Sequence, residues 1–323
     1  MANLLERYGV PIKDGRTFSI SFIDGFNNCG YKMFLSHFLK IKVPQTSLPL
    51  TFGSACHKGL ESVNYARMKN ISICKKCPKS CKLGTPEQKN AMSVPVEKCA
   101  VKQRMLEEFG DVFDSDFEKI YIEEARIKDF VDGEEKARKE LAKHKEIAIN
   151  AMSHVIFIDQ PIGKVLYTEG PIYGSIGEHK VMGVLDLLLN DEGKGHIVDY
   201  KTAAANSANN FPLRQMAMYD HILASQGVDI DKLSVIFMNK KLETNRLRKP
   251  FEQTSVLSME LTKENRQVCK KVIGEIAEDI SNISECISNG IFMKGRNPIT
   301  CSYCEMREYC RDSSKLDDYL EGL

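Results

Sequence analysis

The chain has 323 residues, with 45 Lys and Arg against 44 Asp and Glu and a formal charge of +1. This near balance excludes a uniformly basic nucleic-acid coat and leaves local patches as the means of meeting a polyanion. Its 42% hydrophobic and 28% charged residues are ordinary for a globular chain. No stretch approaches the roughly 18 to 20 apolar residues that would span a bilayer, and the N-terminus has no apolar signal region, so a cytoplasmic chain with no membrane partner is expected.

The length suits a single domain, 1–323, carrying insertions. Residues 17–40 place Phe22, Phe26, Cys29, Met33 and Phe34 at helical spacing, which predicts a helix from about Ser21 to Lys40. A second helix is expected from about Gly53, with His57 in its first two turns. Residues 70–104 lack periodicity and are rich in Cys, Lys and Pro, as a small metal-organised insertion would be. Between Cys74 and Arg104 the basic residues Lys75, Lys76, Lys79, Lys82, Lys89, Lys98, Lys102 and Arg104 face only Glu87 and Glu97. A second basic stretch runs over 239–249. Residues 105–160 read as a highly charged helical insertion whose face is solvated.

Three strands follow, "KVLYTEGPIYG", "KVMGVLDLLLN" and "GHIVDYKT", the last two joined by the turn "NDEGKG". "PLRQMAMYDHILASQG" predicts a helix opened by Pro212 and closed by Gly227, "KLSVIFMNK" a buried strand, and 262–288 a long helix. Segment 289–323 closes the chain with a cysteine cluster. The order predicts an α/β core with a mixed sheet flanked by helices.

Asp186 stands between Leu185 and Leu187 in an apolar strand, where an unpaired carboxylate is costly to bury. Asp199 and Lys201, two residues apart on a strand, emerge on one face. If the hairpin pairs their strands, the three groups converge. Two carboxylates and the Tyr200 backbone carbonyl are the hard oxygen donors that Mg2+ or Mn2+ takes, and an acidified water oriented by Lys201 would attack a phosphodiester. The competing reading is an Asp199–Lys201 salt bridge, with Asp186 paired to an arginine. Glu169, toward the end of the preceding strand, is a further acidic candidate.

"GVLDLLL", "HIVDYKT" and "QMAMY" resemble in order the core motifs of the PD-(D/E)XK nucleases. Gln215 to Tyr219 is similar to the QxxxY motif of the RecB-like branch, and "FGSACHKGLE" to that branch's metal-binding histidine helix. The resemblance implies the restriction-endonuclease-like core. It also implies that His57, Asp186 and Asp199 bind Mg2+ or Mn2+, that Lys201 assists the attacking water, and that Gln215 and Tyr219 position the Lys201 strand and the DNA backbone. The sequence departs from the pattern at Leu185, where proline is common, and at Asp199, where glutamate is common.

Eleven cysteines without a secretory signal point to metal ligands or buried thiols rather than disulfides. Cys56, Cys269 and Cys286 are scattered and read as buried thiols. Cys301, Cys304 and Cys310 form C-x2-C-x5-C, one thiolate short of a four-ligand site, and spacing alone leaves zinc or an iron–sulphur cluster open. One cysteine before the core and three after it resembles the iron–sulphur nucleases of the AddB and CRISPR-associated kind. That resemblance implies a [4Fe-4S] cluster on Cys29, Cys301, Cys304 and Cys310, although Gly30 stands where proline is usual. Cys74, Cys77, Cys81 and Cys99 suggest structural zinc, with a second cluster as the alternative and a DNA role for the neighbouring lysines left open.

The resemblance further implies a deoxyribonuclease, first an exonuclease on DNA ends or single strands and second a structure-selective endonuclease. Its setting would be recombination, repair, phage replication or CRISPR adaptation, with a helicase, integrase or replisome partner. The alternative is a non-catalytic DNA-binding scaffold subunit.

Overall fold

The computed structural model describes residues 4–11, 15–43, 48–74, 82–127, 133–191, 193–202, 211–238 and 254–321. Cys77, Cys81 and the basic stretch 239–249 lie outside the described residues. The chain begins with α1 (Leu4–Arg7), the short strand β1 (Thr17–Phe18) and α2 (Ile20–Met33). Ser19 caps α2 by accepting from the Phe22 N–H at 3.2 Å. The helix expected to run to Lys40 breaks regular geometry at Cys29 and continues as a wider π-turn over Phe34–Phe38.

α3 (Leu48–Met68) begins five residues before the expected start, so His57 sits in its third turn. Pro49 lies in its first turn, where proline is tolerated because its missing N–H has no helical partner to lose. Two short 3-10 helices, Pro86–Ser93 and Val96–Lys98, order the described part of the insertion. The charged region forms two helices, α4 (Ala100–Ile127) and α5 (Gly133–His154), packed on each other and on α3.

The sheet is built from β2 (Lys164–Ile176), β3 (His179–Asp191), β4 (Lys194–Lys201), β5 (Ile230–Met238) and β6 (Thr254–Glu260), joined by β1. β3 carries β2 antiparallel along one edge; its other edge pairs with β1 near Val181 and with β4 from Leu187 to Asp191. α6 (Leu213–Ser225) connects the parallel strands β4 and β5, and β6 runs antiparallel to β5. The sheet is therefore mixed. α7 (Lys263–Ser288), α8 (Pro298–Ser302), α9 (Arg307–Arg311) and α10 (Ser313–Glu321) complete the chain.

Two apolar cores result. One buries residues of α2, α6 and α7 with Ile197, Leu233 and Val235 of the sheet. The other buries Phe52 and Leu60 of α3, Phe109, Phe113 and Phe117 of α4, and Ala148 and Met152 of α5 with Leu187, Val198, Tyr200 and Ile236. Alternation along β4 sends Ile197 to the first core and Val198 and Tyr200 to the second. The charged helices thus keep a solvated side, as expected, while an i, i+4 phenylalanine stripe on α4 closes the sheet's second face.

His196 of β4 is buried with its Nε2 2.7 Å from Ser234 Oγ, which meets Ser258 Oγ at 2.8 Å. Burial, aided by Lys232, pushes its pKa down to about 4. The unfolded imidazole titrates near 6.5, so this contribution to stability is complete above about pH 6.5 and is lost as pH falls toward 4, reaching roughly 3 kcal/mol. His196→Gln retains a donor to Ser234 and should flatten that part of the urea-unfolding profile. An unchanged slope would remove His196 as its source.

Candidate active site

The charged residues of the two central strands meet helices from both faces of the sheet. The register leads Asp186 toward Asp199 at the point where the β3–β4 ladder ends, after Leu187 and Val198. Asp186 is held by its surroundings: Oδ2 accepts the Tyr200 backbone N–H at 2.7 Å, and the Asp186 carbonyl accepts Thr168 Oγ1 at 2.9 Å. Its Oδ1 lies 3.6 Å from His57 Nδ1, which is also 3.3 Å from Glu169 Oε1. Ligand atoms of His57, Glu169 and Asp186 all lie within 4.8 Å of one another, a set able to hold a metal ion.

Glu169 reaches this cluster from the middle of β2 with φ 42°, a left-handed conformation that is uncommon for a residue other than glycine. Its neighbours Thr168 and Gly170 pair with Leu187 and Leu185, so Glu169 occupies the position across from Asp186. Such strain persists only where the surrounding structure holds it, and it marks functional positions.

On the α6 side, Asp199 and Lys201 share one face as their spacing requires. Lys201 Nζ lies 2.9 Å from Asp199 Oδ2 and donates to Gln215 Oε1 at 3.0 Å. The Gln215 amide in turn donates to Asp199 Oδ1 at 3.1 Å and to the Tyr219 hydroxyl at 2.6 Å, and Tyr219 donates to the Val184 carbonyl at 2.6 Å. The salt bridge offered as the competing reading is present, but as one link in a chain that ends beside Asp186 on β3. Gln215 and Tyr219, one turn apart on α6, thus meet two strands, Gln215 the Lys201 strand and Tyr219 β3.

The electrostatics follow from crowding. Burial raises the Asp199 pKa to about 7, Asp186's charge adding to the effect and Lys201 opposing it. Glu169 is also raised, first by burial and then by Asp186, against the pull of His57. Burial works against a charged His57, yet the hydrogen bonds and charges of Asp186 and Glu169 outweigh it and raise its pKa to about 10. Three carboxylates drawn together in a buried place thus recruit every nearby positive charge, which is the donor chemistry that suits a divalent cation. A cleft of about 570 Å³ opens on the His57 and Glu169 side of the cluster, lined also by Gly53, Lys58, Glu61 and Thr202.

The termini meet at the cysteines. Cys29, Cys301 and Cys304 line one cavity of about 260 Å³. Cys29 leaves helical geometry (φ −159°, ψ 95°), and its Sγ accepts the backbone N–H of Gly295 at 3.2 Å and of Lys32 at 3.4 Å. A Cβ on Gly295 would come within 2.8 Å of the Asn28 carbonyl, so the two segments pack as closely as glycine permits. Cys310 follows on α9. Of the other group, Cys74 is half-buried and Cys99 is packed in the second core, while Cys77 and Cys81 fall outside the described residues. Cys56 and Cys269 are buried as expected, and Cys286 is half-buried.

A mixed sheet between helical layers, with acids and a lysine converging where its central strands end, is the architecture of a metal-dependent nuclease. Residues 17–311 match the PD-(D/E)XK nuclease superfamily, and the chain belongs to it. No curated protein matches the chain. Among solved structures, it is similar to SSO0001 at 15% identity, with 61% of this chain and 95% of that chain covered and a TM-score of 0.29. It is also similar to a candidate exonuclease from Eubacterium rectale at 9% identity, with 70% and 87% covered and a TM-score of 0.35. Among the described residues no helix is long and apolar enough to cross a membrane.

The link from α6 to β3 depends on one glycine. A Cβ at Gly183 would lie 2.2 Å from the Tyr219 ring, and β3 backbone sits against that ring. Gly183→Ala should therefore destabilise the protein by about 1 to 3 kcal/mol in denaturant unfolding, since the crowded ring has to move. Native stability in the variant would show that the Tyr219 contact is not fixed.

Proposed function

We propose that this chain is a Mg2+- or Mn2+-dependent deoxyribonuclease that hydrolyses phosphodiesters at DNA ends or in single strands. The observation that carries the reading is the joined constellation of His57, Glu169 and Asp186 with Asp199, Lys201 and Gln215. The cation would be held by His57, Asp186, Asp199 and the Tyr200 carbonyl, with Glu169 added to that set by its place beside His57. When bound, such an ion supplies Lewis acidity toward a phosphate oxygen and lowers the pKa of water.

The remaining work belongs to the side chains. Lys201, fixed by Asp199 and Gln215, presents an ammonium that neutralises charge developing on the phosphate and orients the attacking water. Asp199, held by Lys201 and by the Gln215 amide, keeps that ammonium against the cation ligands. Tyr219 and Gln215 keep this pair registered against β3. His57 approaches from α3 and sets the opposite wall of the site.

We assign the [4Fe-4S] cluster to Cys29, Cys301, Cys304 and Cys310 as a staple between the ends of the chain. Backbone N–H groups directed at Cys29 Sγ are the kind of donor that stabilises a ligating thiolate. For Cys74, Cys77, Cys81 and Cys99, structural zinc is the assignment, made on spacing. The cellular setting in recombination, repair, phage replication or CRISPR adaptation, and a helicase, integrase or replisome partner, rest on the family resemblance.

Anaerobically purified protein should degrade end-labelled DNA with Mn2+ and not with EDTA. Asp186→Ala or Lys201→Ala should lower the rate by at least about a hundredfold while the fold and DNA binding persist. A ladder that grows from one end identifies an exonuclease, and full activity in either variant would sink the site assignment. Separately, Cys304→Ala should lose the brown chromophore and much of the soluble protein; an unchanged absorbance spectrum would reject the cluster.

A further inference from the structure

Beneath His57 the second face of the sheet contains a closed ring of polar side chains. Asn64 Nδ2 donates to the Tyr200 hydroxyl at 3.1 Å, Tyr200 donates to Gln160 Oε1 at 2.8 Å, and Gln160 Nε2 returns to Asn64 Oδ1 at 2.9 Å. All three residues are 0 to 1% exposed. Within the ring each side chain gives one hydrogen bond and receives one, and Asn64 Oδ1 also accepts from Arg67 Nη1 at 3.4 Å, in a place where an unmade bond is expensive. It lies within an otherwise apolar core, where aliphatic side chains would fill the space at no such risk.

Its members stand on the elements that must be aligned for the site to exist. Asn64 is seven residues, two turns, beyond His57 on the same helix. Tyr200 is the residue whose backbone N–H holds Asp186 Oδ2 at 2.7 Å, and its ring meets the His57 ring edge-on at 6.1 Å between centroids. Gln160 ends the turn that leads into β2, the strand carrying Glu169. Arg67, three residues past Asn64, adds a bond to the Gly163 carbonyl at 3.1 Å on the same approach to β2. The ring therefore spans α3, β4 and the entry to β2, the three carriers of His57, the Asp186 clasp and Glu169.

We propose that Asn64, Tyr200 and Gln160 form a positioning frame that sets the separation of His57 from Asp186 and Glu169, and thereby the affinity of the site for its cation. The proposal rests on the cation-binding reading given above, in which the Tyr200 backbone carbonyl is a ligand, and adds the side-chain ring behind it: the Tyr200 hydroxyl and the Asn64 and Gln160 amides, which contact neither the cation nor DNA. Removal of the Tyr200 hydroxyl takes away Asn64's acceptor and Gln160's donor together. α3 is then free to shift along the sheet, and the Tyr200 N–H to turn from Asp186.

The test is Mn2+ binding to the metal-free full-length protein, followed by the EPR signal of free Mn2+, with circular dichroism and thermal melting alongside. Tyr200→Phe should remain folded with a lower Tm and bind Mn2+ about ten- to a hundredfold more weakly, the range typical when groups behind metal ligands are lost. Ser234→Ala, which removes a buried hydrogen bond elsewhere in the sheet, should lower Tm and leave Mn2+ affinity unchanged. If Tyr200→Phe does not fold, Gln160→Met removes the hydroxyl's acceptor and should weaken Mn2+ binding in the same direction. Wild-type affinity in a folded ring variant would overturn the frame and leave the cation site standing. Failure of the wild-type protein to bind Mn2+ would overturn both.

Discussion

Three carboxylates brought together in a buried site are the constraint on which the rest of this structure turns. Asp186 repels Glu169 on one side and Asp199 on the other, and burial denies them the water that would screen the repulsion. The fold answers from two sides: α3 sends His57 to Glu169 and Asp186, while β4 and α6 send Lys201 and Gln215 to Asp199. Left-handed backbone at Glu169 in the middle of a strand belongs to the same compromise, since it directs that carboxylate into the cluster. A divalent cation relieves this crowding more directly than one imidazole and one ammonium do.

How much of this was legible in the sequence depended on whether a residue's role was local. Asp199 and Lys201 could be placed together because strand alternation alone puts them on one face, and Gln215 and Tyr219 because a helical turn does. The hairpin between β3 and β4 followed from its glycine-rich turn. Glu169 was only a weak candidate because nothing local announces its reversed φ, and its register opposite Asp186 depends on a bulge near Leu166. Asn64 and Gln160 gave no signal at all. Their partners are 136 and 40 residues away, and a buried amide ring has no period.

The secondary structure shows the same division. Charge on α4 and α5 hid the Phe109, Phe113 and Phe117 stripe that closes the second core. β6 went unread because half its residues are polar and it pairs with β5 across a long connection. The two-residue β1 is a strand only because β3 is long enough to offer it a partner.

An ion pair connects α6, at the candidate site, with α2, the helix that carries Cys29. Arg214, next to Gln215, donates to Asp24 at 3.1 Å and to Asp279 at 2.6 Å, fastening α6 to α2 and α7. Cys29 lies five residues beyond Asp24 on α2, so the helix that carries this cysteine is tied to α6, which positions Lys201. The partly buried Arg214–Asp279 pair contributes more than the exposed Arg214–Asp24 pair.

A single cation held among His57, Glu169, Asp186 and Asp199 is the feature from which the proposed chemistry follows. Anomalous diffraction from crystals soaked in Mn2+ tests it most directly. A single strong peak among these side chains, lost in Asp186→Ala crystals, is expected. A strong peak elsewhere, or none at this place in crystals that otherwise diffract well, would contradict it.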